Sequence, residues 1–115
     1  MRAALTLAIA LAAGPALAAD GAQLFADQCG ACHSLAGASS DTGPTLKGIL
    51  WRKVAGREDF AYSGALKTLG GSWSPSRLDA FLKDTQTLAP GSSMYVVVES
   101  ENDRQAILTY MKAAR

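Results

Sequence analysis

The chain has 115 residues, with 11 Lys and Arg against 10 Asp and Glu, and a formal charge of +1 with its single histidine neutral. That length allows one small domain at most, and so even a charge balance argues against a nucleic-acid binder, which normally shows a basic face or a high pI. No internal repeat or low-complexity linker divides the sequence.

At the N-terminus, Arg2 precedes an apolar run from Ala3 to Ala13, a helix-breaking Gly14-Pro15 and then Ala16-Leu17-Ala18. A positive start, a short hydrophobic stretch and an A-x-A site read as a signal peptide over residues 1–18, cleaved after Ala18. The run is well short of the ~20 apolar residues that span a bilayer. No cysteine follows the cleavage site directly, so a lipidated terminus is not expected; the first cysteine is Cys29. The domain is then 19–115, expected in the periplasm, with 10 basic and 10 acidic residues once Arg2 is removed. A domain of that size is only marginally stable from its own core.

Asp20 is placed to cap a first helix, with Leu24, Phe25 and Gln28-Cys29 at helical spacing behind it. The helix delivers Cys29-Gly30-Ala31-Cys32-His33, which holds both cysteines and the one histidine of the chain. Two thiols three positions apart can add to the two vinyl groups on one edge of a haem, forming two thioethers. The histidine that follows is held where an imidazole nitrogen can coordinate iron, and C-x-x-C-H reads as c-type haem attachment. A zinc site would need further ligands, and there is no second Cys or His cluster. A thioredoxin-like pair would need a βαβ setting, whereas the flanking sequence is helical. A buried thiol pair beside an incidental histidine would leave the absence of any other Cys or His unexplained.

Ala36 to Asp41 is small and polar and reads as a loop. Pro44 follows Gly43; it lacks an N–H but offers a carbonyl that could orient His33 by accepting its second ring N–H. Standing alone, the dipeptide would be an ordinary turn. Ser63 to Leu69 predicts a short helix stopped by Gly70-Gly71. Ser74-Pro75 starts another, Ser as N-cap and Pro in the first turn. Leu78, Phe81, Leu82 and Thr85 share a face of that helix, and Pro90-Gly91 ends it or follows soon after. Tyr95 to Val98 has strand propensity but no obvious partner, so it reads as an extended segment packed on the domain. Asn102, with Gln105 three residues on, predicts the cap of a last helix. Ile107, Tyr110, Met111 and Ala114 form its apolar stripe.

A haem iron has a second axial position, and elimination suggests who fills it. No second histidine exists, and Met1 leaves with the signal peptide. Met111 lies on an apolar helix stripe, where packing is its natural role. Met94 remains, in the loop Pro90-Gly91-Ser92-Ser93-Met94, free to point its thioether into the domain. His/Met ligation raises the reduction potential relative to two nitrogen ligands.

Taken together, Cys29-Gly30-Ala31-Cys32-His33, Gly43-Pro44-Thr45-Leu46, Phe60-Ala61-Tyr62-Ser63, Trp73 and Pro90-Gly91-Ser92-Ser93-Met94 resemble the class I cytochromes c, the small soluble mitochondrial and bacterial carriers. The resemblance covers Asp20 to Arg115. It implies an all-α fold, a few short helices wrapped around one covalently attached haem c with its iron. It implies Cys29 and Cys32 as the attachment points, His33 as proximal ligand, Pro44 as the carbonyl that holds it, and Met94 as distal ligand. Arg52, Tyr62 and Trp73 match positions at the haem propionates, with Arg57 a rival for Arg52. Gly21 and Phe25 match the first helix's contact with the last, where Tyr110 supplies the facing aromatic. Two departures stand out. Ser93 occupies a position often held by lysine, and the loop from Ser34 to Thr42 has neither lysine nor arginine, so the cationic ring that steers such carriers to acidic partners is thin. Phe81 stands where the family commonly has a tyrosine, so one distal hydrogen bond near the methionine is expected to be missing.

The resulting expectation is a periplasmic monohaem carrier of single electrons, not an enzyme. It would be monomeric, docking transiently between a reductase or dehydrogenase donor and an oxidase, peroxidase or reaction-centre acceptor. Alternatives are a permanently bound cytochrome subunit of a dehydrogenase or oxidase complex, and a weakly Met-ligated haem protein that binds peroxide or small gases.

Overall fold

The structure, a computed structural model, describes residues 3–10 and 20–114. The expected cleavage site and Gly14-Pro15 lie outside the described residues. Residues 3–10 carry no regular secondary structure, and Leu5, Leu7 and Ile9 are exposed.

Five helices follow among the described residues, and each begins on an Asp or Ser whose side chain accepts from backbone N–H groups of the first turn. They are α1 (Gly21–Gln28, capped by Asp20), α2 (Gly64–Leu69, Ser63), α3 (Pro75–Lys83, Ser74), α4 (Thr85–Leu88, Asp84) and α5 (Glu101–Ala113, Ser100). Each such cap contributes about 1 kcal/mol by satisfying an orphan donor. The expected cap of the last helix, Asn102, is displaced by two residues. The Ser100 hydroxyl accepts from the Asp103 amide at 3.2 Å, and the earlier start sets Glu101 and Asp103 in the first turn, where the helix dipole favours acids. The expected helix after Ser74-Pro75 also breaks sooner than Pro90. Asp84 leaves helical geometry, closing α3 and capping α4.

The apolar stripes bury one another. α5 packs on both α1 and α3, and α4 packs on α3. Ile107 is fully buried, with Leu108, Met111, Phe25, Leu78, Phe81 and Leu82 in the same core cluster. The crossing of α1 on α5 needs Gly21, because a Cβ there would collide with the Ala106 carbonyl and lie 3.0 Å from Tyr110 Cβ. One turn further on, the Phe25 and Tyr110 rings meet at 5.6 Å, so the expected contact between first and last helices is made.

Two irregular segments complete the frame. Residues 51–54 run against 71–73: the Trp51 amide donates to Trp73 O (2.7 Å), that of Trp73 to Arg52 O (2.9 Å) and that of Val54 to Gly71 O (2.9 Å). This strap brings Arg52 beside Trp73 across twenty residues of sequence. Tyr95 to Val98 carries no regular secondary structure, with Tyr95 and Val97 exposed and Val98 buried. Its amides find no sheet; Val98 N donates to Leu82 O (2.8 Å) instead. Buried Arg104 secures the end of the segment, donating to Asp79 Oδ1 (2.8 Å) and to the Val98 and Glu99 carbonyls (2.9 Å each). None of the described helices is long and apolar enough to cross a membrane.

Candidate functional site

The helices and loops leave a cavity of about 280 Å³, and Cys29, Cys32, His33, Pro44, Arg52, Tyr62, Trp73 and Met94 all line it. These residues come from six separate stretches of chain. Their meeting place is otherwise mainly apolar, with Leu46, Ile49, Leu66, Leu78, Phe81 and Leu82 in its wall.

The pentapeptide enters directly from α1. Cys29 caps the helix and donates to Phe25 O (2.8 Å), and the amides of Cys32 and His33 both donate to Cys29 O (3.1 and 2.9 Å). The turn therefore continues past the helix end and carries all three functional side chains on one winding. Cys29 is buried and Cys32 exposed, with no disulfide between them. Burial pushes the Cys29 thiol up from its ordinary pKa, since a thiolate is poorly solvated there.

His33 is held by the loop opposite. Its Nδ1–H donates to the Pro44 carbonyl at 2.8 Å; a carbonyl can only accept, so the proton sits on Nδ1 and the Nε2 lone pair is left free for a metal. The Leu46 amide donates to Ser34 O at 2.9 Å and keeps the two segments in register. Gly43 allows this approach. A Cβ there would lie 2.5 Å from Cys32 O and 2.7 Å from His33 Nδ1, closer than real Cβ atoms come.

The two arginines are placed differently by what each holds. Arg52 lines the cavity, half-buried, its guanidinium donating to Thr45 O (2.8 Å) and Lys47 O (3.2 Å). Burial lowers its pKa from the usual value, partly offset by Tyr62 and Asp59. Arg57 turns away: it forks onto Asp59 at 2.9 and 2.7 Å and reaches Gly37 O at 3.1 Å. That pair, with Ser39 donating to both carboxylate oxygens, holds Asp59 well below the ordinary carboxylate range. Tyr62 accepts at its hydroxyl from the Arg57 amide (3.3 Å) and stacks edge-on against Phe60. Trp73 is buried against Phe81, ring centroids 4.9 Å apart.

Both candidate methionines reach the cavity. Met111 does so from α5 and is packed in the core, whereas Met94 is half-buried in its loop. The Met94 carbonyl accepts from Thr85 Oγ1 (2.7 Å) and Gln86 Nε2 (3.0 Å). The sequence marks neither residue as functional and places Thr85 only on an apolar helix face. A hydroxyl on an otherwise Leu/Phe stripe is a signal, because once buried it must find a partner.

The donor set fits a covalently attached haem. It offers two unpaired thiols on one turn, an imidazole in a fixed tautomer, a thioether, apolar walls, and a cation with two polar aromatics for charged substituents. The comparisons agree. A family model described as Cytochrome c matches residues 18–115. The chain is 37% identical over 97 residues to cytochrome c of Tetrahymena pyriformis, covering 84% of this chain and 87% of that one. It is 35% identical over 97 residues to cytochrome c2 of Blastochloris viridis, covering 83% and 76%. Among solved structures, cytochrome cH from Methylobacterium extorquens is similar at a TM-score of 0.76 and 34% identity, over 84% of this chain and 97% of that one.

Proposed function

The chain belongs to the cytochrome c family, a monohaem electron carrier with covalently bound haem c, and from that premise we propose that it is a periplasmic single-electron carrier ligated by His33 and Met94. The observation that carries the ligand reading is the 2.8 Å bond from His33 Nδ1 to the Pro44 carbonyl, in a cavity that Met94 shares.

The bound haem supplies a one-electron ferric/ferrous couple; the protein does the rest. Cys29 and Cys32 hold it through thioethers. Pro44 fixes the His33 tautomer and ring, and such a partner raises ligand basicity. Met94 would hold the iron together with His33, and a His/Met donor pair would raise its potential relative to two nitrogen ligands. Arg52, Tyr62 and Trp73 would serve the propionates, which would be costly to bury without hydrogen bonds or an opposite charge. Apolar walls exclude water, so little reorganises when the charge changes. Cys32, exposed, would leave the attached edge of the haem accessible to a partner.

The carrier acts as a monomer and not as an enzyme. It docks transiently, over a small interface, with a reductase or dehydrogenase on one side and an oxidase, peroxidase or reaction centre on the other. Export rests on the leader at residues 1–18.

Absorption spectra of the purified holoprotein in both oxidation states test this reading. A low-spin c-type spectrum with a ferric sulfur-to-iron charge-transfer band is expected, and Met94→Ala removes that band. A high-spin ferric spectrum refutes the carrier and favours a ligand-binding haem protein. A band that survives Met94→Ala and disappears in Met111→Leu reassigns the ligand.

A further inference from the structure

Met94 has every backbone polar group committed to a side chain. Its carbonyl accepts from Thr85 Oγ1 (2.7 Å) and Gln86 Nε2 (3.0 Å), filling both lone pairs. Its amide donates to Ser92 Oγ (3.2 Å). Around it, Gln86 Oε1 accepts from the Gly91 amide (3.1 Å) and Gln86 Nε2 donates to Ser92 O (2.9 Å). On the far side, Thr85 Oγ1 accepts from the Val96 amide (3.1 Å) and the Thr85 amide donates to Val96 O (3.2 Å). Two adjacent residues of α4 thus grip residues 91, 92, 94 and 96, on both sides of the methionine.

That arrangement exceeds what a surface loop needs to stay ordered. A thioether side chain has three rotatable bonds, so the sulfur is held in place only if its backbone cannot move. Phe81 lines the same cavity without a hydroxyl and offers the Met94 loop no side-chain hydrogen bond; Thr85 and Gln86 of α4 supply them. We propose that Thr85 and Gln86 are positioning residues that lock Met94 on the iron, so that an exogenous ligand binds only when both side chains release the Met94 loop. The proposal rests on Met94 being the distal ligand. Thr85 and Ser92 are almost fully buried, and swinging the loop outward would strand the Thr85 hydroxyl without a partner. The bonds therefore break together, and opening is a single costly event.

Imidazole titration of the ferric holoprotein, followed by absorbance, measures that event, because imidazole must displace the methionine. Thr85→Val and Gln86→Leu are each expected to raise the imidazole affinity roughly 5- to 30-fold, the range implied by losing one or two such hydrogen bonds. Both should retain the charge-transfer band without imidazole. Thr85→Ser keeps the hydroxyl and should return the affinity to within about 2-fold of wild type. Ile107→Val, a destabilising change at a buried core residue that does not line the cavity, should leave it unchanged. Affinities of Thr85→Val and Gln86→Leu within 2-fold of wild type refute the lock, and so does an equal rise in Ile107→Val, which would mean global loosening. If Thr85→Val yields no holoprotein, half-buried Gln86→Leu decides alone. Met94→Ala separates the two levels: if it keeps both the band and wild-type imidazole affinity, the ligand assignment itself fails. If it loses the band and binds imidazole tightly while the α4 variants behave as wild type, the ligand stands and the lock falls.

Discussion

Gly43→Ala tests whether the proximal side of the site depends on contact at the scale of one methyl group. The added Cβ would lie 2.5 Å from Cys32 O, 2.7 Å from His33 Nδ1 and 2.8 Å from His33 Cε1. All three are below any distance a real Cβ tolerates, and the first is to backbone, so no flexible side chain can give way. Either the Gly43-Pro44 segment retreats or the imidazole turns, and both break the 2.8 Å bond to Pro44 O. Overpacking of this kind costs about 1–3 kcal/mol and the lost hydrogen bond about 1 kcal/mol. The sum, about 2–4 kcal/mol, lowers the midpoint of a domain this size by roughly 10–25 °C. Gly37→Ala is the matched control, since nothing lies within 4 Å of a Cβ there and it should stay within about 0.5 kcal/mol of wild type. Chemical unfolding of the two holoproteins, monitored by circular dichroism, gives the comparison. A Gly43→Ala protein as stable as Gly37→Ala would refute the argument that His33 is held by close backbone approach.

Two further outcomes follow from the charged groups. Arg52→Leu removes a cation from the cavity, which favours the ferric state, and should lower the reduction potential by roughly tens of millivolts. Arg57→Leu, whose guanidinium is neutralised by Asp59 outside the cavity, should change it far less; equal shifts in voltammetry would contradict the assignment. The Asp59 carboxyl is held below the ordinary range, chiefly by Arg57 and then by Ser39. Its stabilising effect is therefore full above the unfolded carboxylate pKa of about 3.9 and fades as pH falls through and below it. The stability gap between wild type and Asp59→Asn should be constant near neutrality and narrow on acidification. A gap that widens there in acid denaturation would reverse the sign.

Much of the site was legible in the sequence because its signals are local. Two thiols and an imidazole within five residues can serve one edge of one cofactor wherever the chain places them. Asp20, Ser63 and Ser74-Pro75 cap their helices through bonds to residues two or three positions away, so the sequence alone suffices to find them. The same short range explains the two-residue difference at α5, where Ser100 and Asn102 are both competent cap residues and Ser100 makes the bond.

Tertiary structure decided what depends on partners distant in the chain. Arg52 and Arg57 are chemically equivalent five residues apart. Only the strap joining 51–54 to 71–73, and the Asp59 and Gly37 contacts that engage Arg57, direct one to the cavity and the other away. Arg104 is buried because Asp79, 25 residues earlier, and the Val98 and Glu99 carbonyls satisfy it, partners that no local pattern identifies. Thr85 reads in the sequence only as part of a helix face, and nothing local marks Gln86. Folding turned them onto the Met94 loop, since a buried hydroxyl and amide take the nearest unpaired backbone groups, and which groups those are is a property of packing.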